Sequence, residues 1–234
     1  MPSAPFFHLD ALRSVLDGTA GTARTETDSA LARDVFPLPY VTAGALLWPQ
    51  EYAHGVLHEW ARWTCSVPDD VTSAGRLLRF PRAAGVPGPL RGRAFVAIEV
   101  AIPREPWVAE GRLASLRRLE PEIDTVALTS TAGVPPMHLG LDLPESAIGR
   151  HVPVRTLTHA VVDAFVAAAG PSSGSPLASA ELRHLGRAYA LSAATRATSE
   201  EDAARIETRL ELLVERVAPQ PRPTSNGRAT TFSR

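Results

Sequence analysis

Residues 41–81 read VTAGALLWPQEYAHGVLHEWARWTCSVPDDVTSAGRLLRFP, and this stretch constrains the fold more than any other. Residues 41–48 form a short apolar run, the pattern of a strand buried on both faces. Pro49 stands where a first helical residue is expected, since its fixed φ suits that position and its missing N–H is not needed there. Over residues 50–65, Ala53, Leu57, Trp60, Ala61 and Thr64 recur at three- and four-residue spacing and make one apolar stripe. Residues 67–70 (VPDD) stop that helix and turn the chain. Residues 71–80 return as a second strand, closed by Pro81.

The same order then repeats. Residues 94–102 (AFVAIEVAI) are a strand, apolar on both faces apart from Glu99. Pro106 can again open a helix, this one carrying Val108, Leu113 and Leu116, and residues 123–128 complete a second unit. Two strand–helix–strand units in succession predict an α+β fold of split βαβ type, with helices packed on one sheet face. Residues 131–156 are rich in Pro and Gly and read as a long loop, either functional or poorly ordered. A helix is expected over 157–169 through Leu157, Val161, Phe165 and Ala169, with Gly170 just past its end. After a turn-rich linker at 171–176, residues 177–186 (LASAELRHLG) read as a strand with Ser179, Glu181, Arg183 and Leu185 on one side. Thr198 and Glu201 match a capping box for a last helix over 199–217, lined by Ala203, Ile206, Leu210, Leu213 and Val217. Glu201 and Arg205 form a favourable i,i+4 pair on it. The organisation expected is a poorly ordered segment 1–35, an α+β domain 36–217 and a disordered tail 218–234.

Charge and composition narrow the function. The net charge is −1, so nothing favours nucleic acid or an anionic membrane surface. All 24 basic residues are Arg, which removes Schiff-base and lysine general-base chemistry and fits a GC-rich genome. A single cysteine, Cys65, rules out a disulfide framework and a multi-cysteine metal site. No signal peptide or membrane span is visible, so the expected compartment is the cytoplasm.

Four constellations could carry chemistry. His54 and His58 lie one helical turn apart, yet no third ligand is near in sequence and the order is not HExxH. Solvent-facing histidines are the expectation, and no metal site is predicted. Residues 170–174 (GPSSG) match G-x-S-x-G, but a helix precedes and a strand follows, the reverse of a nucleophile elbow. Cys65 has no base tied to it and reads as a small, buried or half-buried thiol. Glu181 and Arg183 share one strand face and His184 takes the other. They form either an ion pair on a solvated face or the polar wall of a substrate cavity. No clustered glycines are present to bring N–H groups against a pyrophosphate, so no nucleotide-binding motif exists in this chain.

The ordered set AGALLWP, VLHEWARWTCSVPDD, GRLLRFP, LRGRAFVAIEVAI, EIDTVAL and SPLASAELRHLGRA resembles the substrate-binding part of FAD-linked oxidoreductases. The type is that of vanillyl-alcohol oxidase and berberine bridge enzyme, with a PCMH-type FAD domain, and the likeness is closest to bacterial members. It covers about residues 36–190, with the helix over 199–217 matching more loosely.

The resemblance implies an antiparallel sheet, backed by helices, that roofs a flavin ring. It also implies hydride transfer from an organic substrate to FAD. Glu181 and Arg183 would then bind the small-molecule substrate, while the catalytic residues stay unassigned. The family's FAD-binding domain has no counterpart here, and the strand expected between 187 and 198 reads as shortened. The chain is therefore expected to be a substrate domain lacking its cofactor domain, inactive alone. It would be completed by a separate FAD-domain polypeptide or by self-association through a face exposing Leu185 and Phe95. The alternative is a non-catalytic small-molecule-binding or remnant domain.

Overall fold

Among the described residues, eight strands make one antiparallel sheet: β1 (Tyr40–Pro49), β2 (Thr72–Arg79), β3 (Ala94–Ile102), β4 (Ile123–Asp124), β5 (Ala127–Ser130), β6 (Ala147–Val154), β7 (Ser179–Leu185) and β8 (Tyr189–Arg196). The structure is a computed structural model describing residues 40–84, 86–130, 147–196 and 199–218, with the backbone alone at 130, 147–149, 151, 194 and 196. Strand order is β4-β1-β3-β2-β7-β8-β6, and β5 also pairs with β1. Four α-helices occur among the described residues: α1 (Ala53–Thr64), α2 (Pro106–Arg117), α3 (His159–Ala169) and α4 (Glu200–Val217). They pack on one side, giving the predicted α+β fold. None is long and apolar enough to cross a membrane.

β1 and β2 both run antiparallel to β3, which lies between them. That is the split βαβ arrangement. The strands up to β5 form one half of the sheet and β6 to β8 the other, joined only along β2 and β7. Alternation sorts the side chains: Val96, Ile98, Val100 and Ile102 of β3 meet the helices, while Phe95 and Ala97 point the opposite way.

Trp60 anchors α1 to the sheet. It is fully buried, and its Nε1 donates to Ser73 Oγ at 3.0 Å. Gly75 makes room for it, since a Cβ there would lie 2.9 Å from the Trp60 ring and 2.7 Å from Leu57 Cδ2. Trp63 Nε1 donates to the Arg112 carbonyl at 2.8 Å and ties α1 to α2.

Several boundaries differ from the sequence reading. Pro49 ends β1 with extended backbone, and a 3-10 turn over Gln50–Tyr52 precedes α1. The expected strand 123–128 is two short strands in one continuous register on β1, parted at Thr125 and Val126. The second half of the expected 131–156 loop is β6; residues 131–146 lie outside those described. Pro153 is tolerated there because β6 is an edge strand. The strand read as shortened between 187 and 198 is the full-length β8, whose small residues (YALSAATR) carry little strand signal. Ser199 caps α4 by accepting from the Asp202 N–H, the Thr198 of the expected capping box lies outside the described residues, and Arg205 pairs with Asp202 instead of Glu201. Gly170 is the C-cap residue of α3, with extended backbone. The proposed segment 1–35 and nearly all of the 218–234 tail lie outside the described residues.

Candidate functional site

The helix-free sheet face carries charge at its centre. Arg76 of β2 stands directly opposite Glu181 of β7, and one row along, Ala74 is flanked by Glu99 of β3 and Arg183 of β7. Arg76 Nε donates to Glu181 Oε2 at 2.5 Å and its Nη1 to Glu99 Oε1 at 2.9 Å. Arg183 Nε donates to the other oxygen of Glu181. Glu181 is 0% exposed and Arg183 2%. The group is therefore an ion-pair network out of bulk water, not the pair on a solvated face that was one of the two expectations.

The four charges cancel. Burial pushes the Glu99 carboxyl above the ordinary carboxylate range, and the Arg76 guanidinium only partly offsets this. Among the described residues, nothing accepts from the terminal nitrogens of Arg183, which bonds only through Nε. Two buried hydroxyls on the same face, Thr72 Oγ1 and Ser179 Oγ, also lack a hydrogen-bond partner among the described residues. Buried polar atoms without partners are uncommon in folded chains; these two hydroxyls lie on the patch, and a third such atom, Gln50 Nε2, lies in the turn before α1. Such a surface can hold and orient a small polar molecule.

Sequence reasoning placed Glu181 and Arg183 correctly on a shared face, with His184 on the helix side. It missed Arg76 as a partner and noted Glu99 only as the exception in an apolar strand, although each is a charge in the middle of a buried strand. Phe95 was expected to be exposed but is fully buried, because Val86 and Leu90 of the loop after β2 fold over it. Leu185 is exposed as expected, at 39%. Ser172 sits in a 3-10 turn between α3 and β7, so the GPSSG match is no nucleophile elbow. Cys65 is exposed, not buried, with its Sγ against the Ala61 carbonyl. His54 faces solvent, whereas His58 is mostly covered and touches Asp163, a group no local spacing displays.

The described residues do not fit an FAD pyrophosphate. Their glycines with positive φ, Gly44, Gly92, Gly174 and Gly186, lie in four separate places and build no run of adjacent N–H groups.

No protein-family model matches the chain, and neither does any curated protein. Solved structures do. The berberine-bridge-enzyme-like protein 1 of Physcomitrella patens matches 76% of this chain and 43% of its own, at 10% identity and a TM-score of 0.54. The berberine-bridge-enzyme-like protein 28 of Arabidopsis thaliana matches 80% and 44%, at 13% identity and 0.52. The 6-hydroxy-D-nicotine oxidase of Arthrobacter nicotinovorans matches 75% and 43%, at 14% identity and 0.52. The chain spans less than half the length of each. At these identities the likeness is one of fold: this sheet and its helices follow the chain path of part of the FAD-dependent oxidases.

Proposed function

We propose that the chain is the substrate-binding portion of an FAD-linked oxidoreductase, holding a small organic molecule against the helix-free sheet face. The observation that carries this is the buried network of Arg76, Glu99, Glu181 and Arg183, in which the terminal nitrogens of Arg183 meet no acceptor among the described residues. Arg183 would donate to an oxygen of the substrate, and Glu181 would fix the guanidinium plane through Nε. Thr72 and Ser179 supply hydroxyls within the same surface.

FAD would supply the hydride acceptor. Because the described residues make no pyrophosphate cradle, no chemical step is assigned to them through the flavin; their part is binding and orientation. The flavin would come with a separate FAD-domain polypeptide, or the face would pair with a second copy of this chain. The same missing cradle favours, as the second reading, a non-catalytic small-molecule-binding domain.

Calorimetric titration of the full chain with FAD, and with a panel of aromatic alcohols, acids and amines, tests the proposal. No tight FAD complex is expected, together with small-molecule binding that Arg183→Gln weakens. FAD retained through gel filtration would move the cofactor site into this chain. Ligands that bind wild type and Arg183→Gln equally would remove this face from the substrate site.

A further inference from the structure

On the opposite side of the sheet, two pairs of potential metal ligands meet across the contact between α1 and α3. His54 and His58 are one turn apart on α1, and His159 and Asp163 one turn apart on α3. The i,i+4 spacing turns each pair to one face of its helix. His54 Nε2 lies 3.3 Å and His58 Nε2 2.8 Å from Asp163 Oδ1. None of these three atoms is more than 4.8 Å from another. The His159 ring stands edge-on to His58, 4.8 Å between centroids.

We propose that this cluster binds a divalent transition-metal cation of the Zn²⁺ class through His54, His58 and Asp163, with the fourth position taken by water or His159. Ligand atoms ~2.0–2.1 Å from a tetrahedral Zn²⁺ stand ~3.3 Å apart, so the three atoms need only small side-chain rotations to reach that geometry. Two imidazoles and one carboxylate favour Zn²⁺, Co²⁺ or Ni²⁺ over Mg²⁺ and Ca²⁺, which take oxygen ligands. His54 is 70% exposed and leaves an entry path from solvent. The ion clamps α1 to α3 and does not reach the Glu181 and Arg183 patch.

Co²⁺ titration of the full chain, read by visible absorption, tests this together with Zn²⁺ competition and thermal unfolding. One Co²⁺ per chain with the strong visible bands of four-coordinate cobalt is expected, and Zn²⁺ should raise the unfolding midpoint. Outer-shell losses alone weaken metal sites by about ten-fold or more. His54→Ala, at a solvent-facing position, and Asp163→Asn, which can still accept from His58, should each weaken binding at least that much. Wild-type affinity in either variant, or no stoichiometric Co²⁺ uptake, overturns the assignment.

Discussion

Arg76 and Glu181 face each other across β2 and β7, joined Nε to Oε2 at 2.5 Å, though 105 residues separate them in the chain. Removing one member of this buried network leaves its remaining charges unbalanced, and breaking a buried pair typically costs ~3–5 kcal/mol. Arg76→Met and Glu181→Leu should each fall in that range, and the double variant should cost clearly less than their sum. Urea unfolding of the four chains measures the coupling. Additive costs would show that the two side chains do not act as a pair.

Trp60→Ala should destabilise by ~3–5 kcal/mol, as large-to-small core changes do. Gly75→Ala forces a methyl against the same ring and should cost ~1–3 kcal/mol. In a Trp60→Leu background the Gly75→Ala cost should shrink, because the ring that it strikes is gone. An unchanged cost would place the strain elsewhere.

Glu99 should make stability depend on pH in a defined direction. Its folded-state pKa is raised by burial, so the folded chain binds the proton more tightly than the unfolded one. The stability from that proton is complete below the ordinary value of 4.5 and is lost as pH rises through the folded value. Glu99→Gln stays neutral, so its stability relative to wild type should climb as pH rises from about 4 toward neutrality. Parallel curves of urea midpoint against pH would clear Glu99.

Gly44 sits in β1 with φ +155°, where a Cβ would lie 2.5 Å from Val126 Cα and 2.6 Å from the Thr125 carbonyl oxygen. Both neighbours are backbone, so no rotamer change relieves the contact. Gly44→Ala should push β4 and β5 away from β1. Faster amide exchange at Thr125, whose N–H bonds Ala45 O at 2.9 Å, would report it. Exchange unchanged there, with β3 amides speeding up instead, would contradict the local account.

Much of the sheet was legible because its strands carry bulky alternating or continuous apolar runs, as in β3. β8 was not, since Ala190, Ser192 and Ala193 give alternation without volume. The charge patch was half legible for a similar reason. Glu181 and Arg183 share one strand, so parity alone puts them on one face. Arg76 and Glu99 join them only through strand order, which local patterns do not encode. The helix-layer cluster shows the same limit: His54 and His58 announce themselves at one-turn spacing, but Asp163 arrives from a helix a hundred residues away.

The seam between β2 and β7 has a consequence for how the molecule assembles. Each half of the sheet holds a pairing between neighbouring strands, β2 with β3 and β7 with β8, but the halves must dock across the long-range pairing of β2 with β7, the slow kind of event in sheet folding. A slip of two residues at that seam keeps every side chain on its proper face, so apolar patterning alone would tolerate it. It would also set Glu181 opposite Ala74 or Leu78 instead of Arg76. The charges thus act as a key that admits one alignment of the two halves and rejects its nearest neighbours.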